Sequence, residues 1–538
     1  MTNWNIADVW EAVADTIPDA PALVHGERRV TWGEFDRRAD GVARALLDAG
    51  VVRQDKVAHY LYNGTEYLES TFAMFKVGLV PVNTNYRYTD DELVYLWDNA
   101  DAVAVIFHGT FVQRIEGLLS RVPRVRSWLW VDDGSGPCPD WATPYEAAAA
   151  TITTERVTAP WGRSGDDLLM LYTGGTTGMP KGVMWRQDDL FSRINAGNLL
   201  RVPEDGGLDG VRKAIVGAGP VIIPACPLMH GTGSFTSIGS LNVGGCVVTL
   251  TSRKFDAMEL LDTVDRDNVN VIAIVGDAFA KPILAALDEH PGHWRLSTLL
   301  AMISSGVMFS EETKQALLRH HPTMMLVDAF SSSEALGMGS SVSSGSSTEH
   351  TAHFTLGPDV RVLDPDTLKS VIPGSGEIGV LALGGRNPVG YYKDDQKSAN
   401  TFKEIDGVRY SIPGDFATVE MDGSIQLLGR GSVVINTGGE KVFPEEVEEA
   451  LKTHPGVRDA VAVAIPDMRF GEVVAAVVER RPGTEATEKE LIEHVKGRLA
   501  GFKAPKRVRF VTSIERSPAG KIDYARHRSE TTEWATSA

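Results

Sequence analysis

The residues best suited to hold phosphate lie in one segment, which reads Tyr-Thr-Gly-Gly-Thr-Thr-Gly-Met-Pro-Lys-Gly over residues 172–182. Three of its glycines let the backbone approach an anion closely and reach positive φ. Its threonines supply hydroxyl donors, and its lysine supplies a compact positive charge. The residues that we expect to bind phosphate are Thr173, Gly174, Gly175, Thr176, Thr177, Gly178 and Lys181.

This segment differs from a Walker A loop, which ends Gly-Lys-Ser/Thr and opens a helix. Pro180 precedes the lysine here, and Gly182 follows it. The apolar run at residues 168–172 predicts a buried strand. The sequence Val183-Met184-Trp185 predicts a second one. We therefore expect a mobile turn between two strands.

The segment resembles the phosphate loop of the acyl-adenylate-forming superfamily, which includes acyl-CoA synthetases, firefly luciferase and peptide-synthetase adenylation domains. Further segments match the superfamily's motifs in the same order, from about Pro18 to about Asp523. The resemblance implies ATP, Mg²⁺, coenzyme A and a carboxylic acid substrate. It also implies that the acid is first activated as an acyl-AMP.

Up to residue 430, the resemblance implies a nucleotide site with an acyl tunnel beside it. Glu334, which ends Asp-Ala-Phe-Ser-Ser-Ser-Glu, would help to hold Mg²⁺, a cation that prefers oxygen ligands. Thr176 would be a second metal ligand. Asp415 would accept both ribose hydroxyls, since a carboxylate suits a vicinal diol. The other residues implied in ATP or AMP binding are Ser305, Gly306, Asp328, Phe330, Ser333 and Arg430.

The acyl group would lie near His230, in the segment Pro-Leu-Met-His-Gly, whose role would be steric and hydrogen-bonding. The implied acyl pocket comprises His230, Phe235, Thr236, Val275 and Gly276. The segments at 183–186, 429–432 and 436–443 are similar to actinobacterial ligases that act on steroid side chains and long-chain acids. A medium- or long-chain fatty acid is the alternative substrate.

The tail of the chain matches the family's C-terminal motifs. Lys521, in Ser-Pro-Ala-Gly-Lys-Ile, would be the adenylation lysine, and together with Glu334 and His230 it forms the implied catalytic set. The residues implied in coenzyme A binding are Gly438, Gly439, Glu440 and Lys441. Ser432 stands at the family's hinge position, where Asp or Lys is usual. The family's C-terminal domain turns about this hinge between the two half-reactions.

Alternating helical and strand patterns predict an α/β fold. We expect a large N-terminal domain of two α/β subdomains plus a small β-rich subdomain, hinged to a small mobile α+β C-terminal domain. The expected boundaries are 1–429, 430–434 for the hinge, and 435–538. In the tail, Thr487 and Glu490 predict a capping box at a helix start.

The length, charge and cysteine content of the chain limit the classes of protein to which it can belong. The chain has 538 residues, too many for one hydrophobic core. Its net charge of −18 argues against a general nucleic-acid binder. Its three cysteines show neither metal spacing nor a disulfide framework. No apolar stretch reaches the roughly 20 residues that a membrane-spanning helix needs, and no signal peptide is evident. We therefore expect a cytoplasmic protein. Peripheral membrane contact and a homodimer stay open.

Three functions compete at this point. The leading one is an ATP-dependent acyl-CoA ligase that releases AMP and pyrophosphate. The second is an acyl-AMP ligase that loads a carrier protein, although we identify no insertion of the kind such ligases carry. The third is a catalytically silent nucleotide-binding or scaffold protein, against which the retained site residues argue. A luciferase-like oxygenase shares the fold, but no feature points to it.

Overall fold

The structure is a computed structural model that describes residues 3–175, 178–307, 309–345, 351–437, 440–467, 470–517 and 520–537. The described residues form two compact units. The first comprises Met1–Gly174, Met179–Thr351 and Leu383–Ser411. The second comprises Gly175–Gly178, Ala352–Ala382 and Ile412–Ala538. The boundaries expected at residues 429 and 435 stay predictions.

Helices and strands alternate through the first part of the chain. They are α1 (Ile6–Thr16), β1 (Pro21–His25), β2 (Arg28–Thr31), α2 (Trp32–Asp48), β3 (Lys56–Tyr60), α3 (Thr65–Lys76), β4 (Val80–Asn83), α4 (Asp90–Asn99), β5 (Ala102–His108), α5 (Val112–Glu116) and β6 (Ser127–Val131). The next are β7 (Thr143–Pro144), α6 (Tyr145–Ala149), β8 (Leu168–Gly175), β9 (Gly178–Arg186), α7 (Gln187–Gly197), α8 (Gly207–Ala214), β10 (Val221–Pro224), α9 (Gly231–Asn242) and β11 (Cys246–Thr249).

The alternation continues to residue 343 and then gives way to short strands. The elements are α10 (Ala257–Arg266), β12 (Val271–Ile274), α11 (Asp277–Glu289), β13 (Ala301–Ser305), α12 (Glu311–His320), β14 (Met325–Ser332) and β15 (Ala335–Ser343). The short strands are β16 (His353–Leu356), β17 (Val360–Leu363), β18 (Gly379–Gly384), β19 (Gly390–Tyr391), then α13 (Asp395–Thr401), β20 (Phe402–Ile405), β21 (Val408–Ser411), β22 (Asp415–Val419) and β23 (Ile425–Arg430).

The C-terminal region mixes helices with mainly antiparallel strands. It contains β24 (Ile435–Thr437), β25 (Glu440–Val442), α14 (Pro444–Lys452), β26 (Val457–Asp467), β27 (Gly471–Arg480), α15 (Glu488–Lys496), β28 (Arg507–Val511) and α16 (Tyr524–Ser537). Thr487 caps α15 through the predicted capping box with Glu490. None of the described helices is long and apolar enough to cross a membrane.

Two sheets organise the first unit. One has the strand order β2-β1-β11-β10-β12-β13-β14-β15, in which β1 and β11 through β14 run parallel and β2 and β15 antiparallel. The other has the order β19-β9-β8-β4-β3-β5-β6-β7. The largest apolar core includes side chains from both sheets and from α1, α2, α3, α7 and α9. These two sheets match the predicted pair of α/β subdomains.

A buried charged cluster joins the first three helices. The Lys76 ammonium of α3 lies 3.0 Å from a Glu11 oxygen of α1, and 2.6 and 2.9 Å from Asp36 and Asp40 of α2. The Lys76 side chain is fully buried. Because an uncompensated charge is costly in the interior, these contacts fix how the three helices pack.

In the second unit, β16, β23, β22 and the start of β18 form an antiparallel sheet. The C-terminal sheet has the order β25-β24-β27-β26, with β28 parallel to β27. Residues 383–411 group with the first unit, and β19 within them pairs with β9.

Candidate active site

The predicted phosphate segment forms the end of β8 and the start of β9, two neighbouring strands of one sheet. The two expected strands are therefore confirmed, whereas Thr176 and Thr177, where the turn was expected, lie outside the described residues. Lys181 is on β9, and its ammonium donates to the Asp394 carboxylate at 2.6 Å. Both side chains are about one-third exposed, at 34% and 29%.

Glu334 lies in the tight turn between β14 and β15 and is 8% exposed. The Tyr391 hydroxyl donates to its Oε1 at 2.8 Å. The Trp185 indole N–H donates to the carbonyl of Ser333, the preceding residue, at 2.9 Å. Trp185 is on β9, and Tyr391 on β19 lies opposite Val183 of β9. The strand that carries Lys181 thus also supports the turn that carries Glu334.

The donor chemistry of this turn fits Mg²⁺. Glu334 presents a carboxylate, the hard oxygen donor that this cation takes, and substrate phosphates and water usually supply the other ligands. The part of the chain that the structure describes contains no group of three His, Cys, Asp or Glu residues able to hold a metal ion. A magnesium site built on this one carboxylate and on phosphate oxygens stays a prediction.

Parallel strands of the first sheet carry other candidates to one edge, since their carboxyl ends meet there. These candidates are His230 after β10, Val275 and Gly276 after β12, Ser305 and Gly306 at the end of β13, and Asp328 and Phe330 within β14. The Gly276 N–H donates to the Ser304 hydroxyl at 3.0 Å. A Cβ placed on Gly306 would lie 3.9 Å from both Thr232 and Val275, so the strand ends and the start of α9 adjoin.

The acyl-pocket candidates are partly core residues. Val275 and Phe235 are 3% and 7% exposed and belong to two different apolar cores. Thr236 is half-buried, and its hydroxyl donates to the Thr232 carbonyl at 2.6 Å. Gly276 has a φ of +55°, which favours glycine at this bend into α11. The acyl pocket stays a prediction.

Asp328 is a buried residue of β14 whose carboxylate faces Lys314 of α12. Its carboxylate lies 3.4 Å from the ammonium of Lys314, which is itself buried. Burial raises the pKa of Asp328 to about 6, against the lowering effect of Lys314. Its role in nucleotide binding stays a prediction.

Two asparagines that the sequence analysis missed hold the segment before His230. The Asn83 amide donates to the Tyr172 carbonyl at 2.9 Å and to the Met229 carbonyl at 2.7 Å, and its oxygen accepts from the Tyr172 N–H at 2.6 Å. Asn63 accepts from the Leu228 N–H at 2.8 Å. Asn83 is 7% exposed, so its bonds are shielded from water. Asn83 thus links β8, the strand that leads into the phosphate segment, to the loop after β10 in the other sheet.

In the second unit, Asp415 begins β22 and is 5% exposed. Its Cα is paired with that of Arg430 on β23. The predicted coenzyme A residues fall at the β24–β25 hairpin, where Thr437 is paired with Glu440 and Asn436 with Lys441. Gly438 and Gly439 lie outside the described residues.

Lys521 is held in a turn by its neighbours. Its N–H donates to the Ser517 hydroxyl at 3.0 Å, and its carbonyl accepts from the Ser517 N–H at 2.9 Å. The Arg516 guanidinium donates to the Gly520 carbonyl at 3.1 Å and to both Asp459 oxygens at 2.6 and 2.8 Å. Burial alone would raise the pKa of Asp459, but Arg516 and Lys452 outweigh it and lower that pKa to about 2.

Comparison with known proteins identifies the family. The model of the AMP-binding enzyme family matches residues 10–392, and that of the AMP-binding enzyme C-terminal domain matches residues 446–521.

The chain belongs to the AMP-binding enzyme family.

This result confirms the resemblance found in the sequence. A 3-oxocholest-4-en-26-oate–CoA ligase of Rhodococcus rhodochrous is 41% identical over 98% of this chain and 96% of its own. A medium/long-chain-fatty-acid–CoA/3-oxocholest-4-en-26-oate–CoA ligase of Mycolicibacterium smegmatis is 40% identical over 97% and 95%.

A solved structure confirms the fold of this AMP-binding enzyme. The anthranilate CoA ligase AuaEII, in complex with anthranoyl-AMP, matches with a TM-score of 0.82 over 99% of this chain and 98% of its own. At 21% identity, this likeness concerns the fold alone. It bears out the predicted α/β architecture with a large N-terminal and a small C-terminal domain.

We expect Asn83→Asp to loosen both segments that Asn83 joins. The aspartate keeps an acceptor for Tyr172 but loses both donors and places a buried carboxylate against two carbonyl oxygens. Unmatched buried polar groups cost about 1–3 kcal/mol each. Hydrogen exchange should therefore quicken in peptides containing Tyr172 and Met229, and ATP–pyrophosphate exchange should fall about 10-fold or more.

The matched control is Asn85→Asp. Asn85 accepts from the Arg87 N–H through its side-chain oxygen, and an aspartate keeps this bond. Unchanged hydrogen exchange at both segments in Asn83→Asp would contradict the assigned role.

We expect Arg516→Lys to impair acyl-AMP formation, the step to which the family resemblance assigns Lys521. A lysine keeps a positive charge beside Asp459. It lacks the planar guanidinium, whose several N–H groups bond Asp459 and the Gly520 carbonyl at the same time. Misplacement of a reacting group by about 1 Å costs up to about 100-fold in rate. Acyl-AMP formation should fall 10- to 100-fold, whereas thioester formation from supplied acyl-AMP should stay near wild type.

Arg509→Lys is its control, because Arg509 pairs with Glu530 in the same unit and does not contact the 516–521 turn through any described bond. Equal losses in both half-reactions of Arg516→Lys would show general damage instead of a positioning role.

Proposed function

We propose that this protein is an ATP-dependent acyl-CoA ligase for hydrophobic carboxylic acids. The observation that carries the proposal is the shared support of Lys181 and Glu334. Strand β9 bears Lys181, donates through Trp185 to the Glu334 turn and pairs with the strand whose Tyr391 binds Glu334. A cation for phosphate and a carboxylate for a metal ion are therefore held by one framework.

The chemistry requires such a framework. A carboxylate is a poor acyl donor because its leaving group would be oxide. Its oxygen attacks the α-phosphorus of ATP, the bond to pyrophosphate breaks, and acyl-AMP forms. Because both reactants are anionic, cationic groups and backbone donors must stabilise the charge on the phosphorus oxygens. Glu334 and Thr176 would hold Mg²⁺, which supplies further positive charge to the phosphates.

The second half-reaction makes the thioester. The thiol sulfur of coenzyme A attacks the acyl carbon, the carbon–oxygen bond to AMP breaks, and the thiol proton passes to solvent. No covalent enzyme intermediate is needed. We assign Lys521 to the first half-reaction and the segment 438–441 to the second. Asp415 and Arg430 would bind the ribose, Ser305, Gly306 and Phe330 the adenine, and Ser333 the α-phosphate or carboxylate.

The names of the relatives support a choice of acid. One is named for a 3-oxo steroid acid, and the other for both that acid and medium- or long-chain fatty acids. The buried Phe235 and Val275, with Thr236, Gly276 and His230, would give such acids an apolar lining. We place the 3-oxo steroid side-chain carboxylate first and medium- or long-chain fatty acids second.

The direct test is ATP–pyrophosphate exchange with Mg²⁺ over a panel of acids, followed by thioester analysis with coenzyme A. We expect exchange with a 3-oxo steroid acid or with fatty acids of eight or more carbons to exceed exchange with acetate by at least about 10-fold, because two buried methylenes at about 0.8 kcal/mol each already give that factor. Exchange with none of the acids would contradict the proposal. Exchange without any thioester, with transfer to a carrier protein, would favour the acyl-AMP ligase instead.

Lys521→Ala separates the half-reactions. We expect it to lower acyl-AMP formation by about 100-fold or more, since it removes a cation that stabilises the transition state. Thioester formation from supplied acyl-AMP should be spared. The matched control is Lys213→Ala, which removes an exposed lysine of α8 in the other unit. If Lys521→Ala slowed both steps equally, the assignment would be wrong.

A further inference from the structure

Asp394 connects the phosphate segment to the start of α13 through two different bonds. Its Oδ2 accepts from the Lys181 ammonium at 2.6 Å, and its Oδ1 accepts from the Lys397 N–H at 3.0 Å, which caps the helix. The hydrogen bond from Lys181 holds the pKa of the Asp394 carboxyl below its ordinary value.

The carboxylate is fixed in place, whereas the lysine has a long flexible stem. The Tyr392 N–H donates to the Gly182 carbonyl at 2.8 Å, and the Tyr391 N–H donates to the Ser398 hydroxyl at 2.8 Å. Together with the helix cap, these bonds fix the backbone on both sides of Asp394. The side chain of Lys181 is a flexible four-carbon stem, so its ammonium can exchange one anionic partner for another.

This inference rests on the proposed function, in which Lys181 binds phosphate. We propose that Asp394 competes with the phosphates of ATP and of pyrophosphate for the ammonium of Lys181, and thereby weakens the binding of both. A phosphate oxygen and the Asp394 carboxylate on the same nitrogen would be two anions about 5 Å apart, which repel each other. The Asp394 carboxylate therefore weakens phosphate binding at Lys181, whether the ammonium changes partner or contacts both anions.

This competition has a use in the reaction. Pyrophosphate must leave after acyl-AMP forms, and a lysine with no alternative partner would retain it. Asp394 offers that partner within the protein. It is a positioning residue, since it acts through Lys181 and does not itself bind the substrate.

The discriminating variant is Asp394→Asn. Asparagine caps helices about as well as aspartate, so α13 keeps its first-turn bond, while the competing charge is removed. Titration calorimetry with magnesium pyrophosphate, and separately with magnesium ATP, measures binding without turnover. We expect both dissociation constants to fall about 2- to 5-fold, the range that an exposed ion pair produces. A merely structural role for Asp394 would weaken binding instead.

Two controls accompany it. Asp395→Asn makes the same change in net charge at an exposed residue of the same helix turn and should leave both constants unchanged. In a Lys181→Ala background, Asp394→Asn should have no further effect on pyrophosphate binding. The gain in Asp394→Asn should also shrink as salt is raised, because exposed charges are screened.

Weaker binding of both ligands in Asp394→Asn would overturn the proposal and would mean that Asp394 orients Lys181 towards phosphate. Unchanged binding, or an equal gain in Asp395→Asn, would overturn it as well. These results differ from a failure of the proposed function, which would appear in the wild-type protein as absence of pyrophosphate exchange with every acid.

Discussion

Repulsion between two anions is the constraint on which this active site depends. A carboxylate must approach a triphosphate, and neither reactant carries a compensating charge. In the first unit, the protein places the Lys181 ammonium on β9 and supports Glu334 through Trp185 and Tyr391. Lys181, Trp185 and Tyr391 belong to the neighbouring strands β9 and β19, and Glu334 lies in the tight turn that Trp185 and Tyr391 hold. Preorganised charges of this kind need little rearrangement as the reaction proceeds, which is what makes them effective.

Polar side chains buried between the elements keep this framework in register. Asn83 spans the two sheets of the first unit with three hydrogen bonds, and Lys76 joins three helices through three carboxylates. Each group would be costly in the interior without its partners. Buried polar residues therefore define the relative placement of elements that apolar packing alone would leave less specific. In the second unit, Arg516 does the same for the turn that carries Lys521.

Much of this could be predicted from local patterns in the sequence. The alternating elements, the two strands that flank residues 176–177 and the cap at Thr487 depend on neighbours in the chain, and all three were confirmed. The grouping of residues 383–411 with the first unit was not predictable, because it depends on the pairing of β19 with β9 across about 200 residues of sequence. Asn83, Tyr391 and Asp394 were missed for the same reason, since their partners are distant in the chain. The polar residue at the carboxyl end of β4 was the one available signal for Asn83.

In the proposed reaction, a carboxylate oxygen attacks the α-phosphorus of ATP. The most direct test uses an acid labelled with ¹⁸O in its carboxylate, with ATP, Mg²⁺ and coenzyme A, and mass analysis of the products. Because the bond broken in the second step joins the acyl carbon to that oxygen, one labelled oxygen should appear in AMP and none in pyrophosphate. Formation of ADP with label in inorganic phosphate, or of AMP without label, would contradict the account.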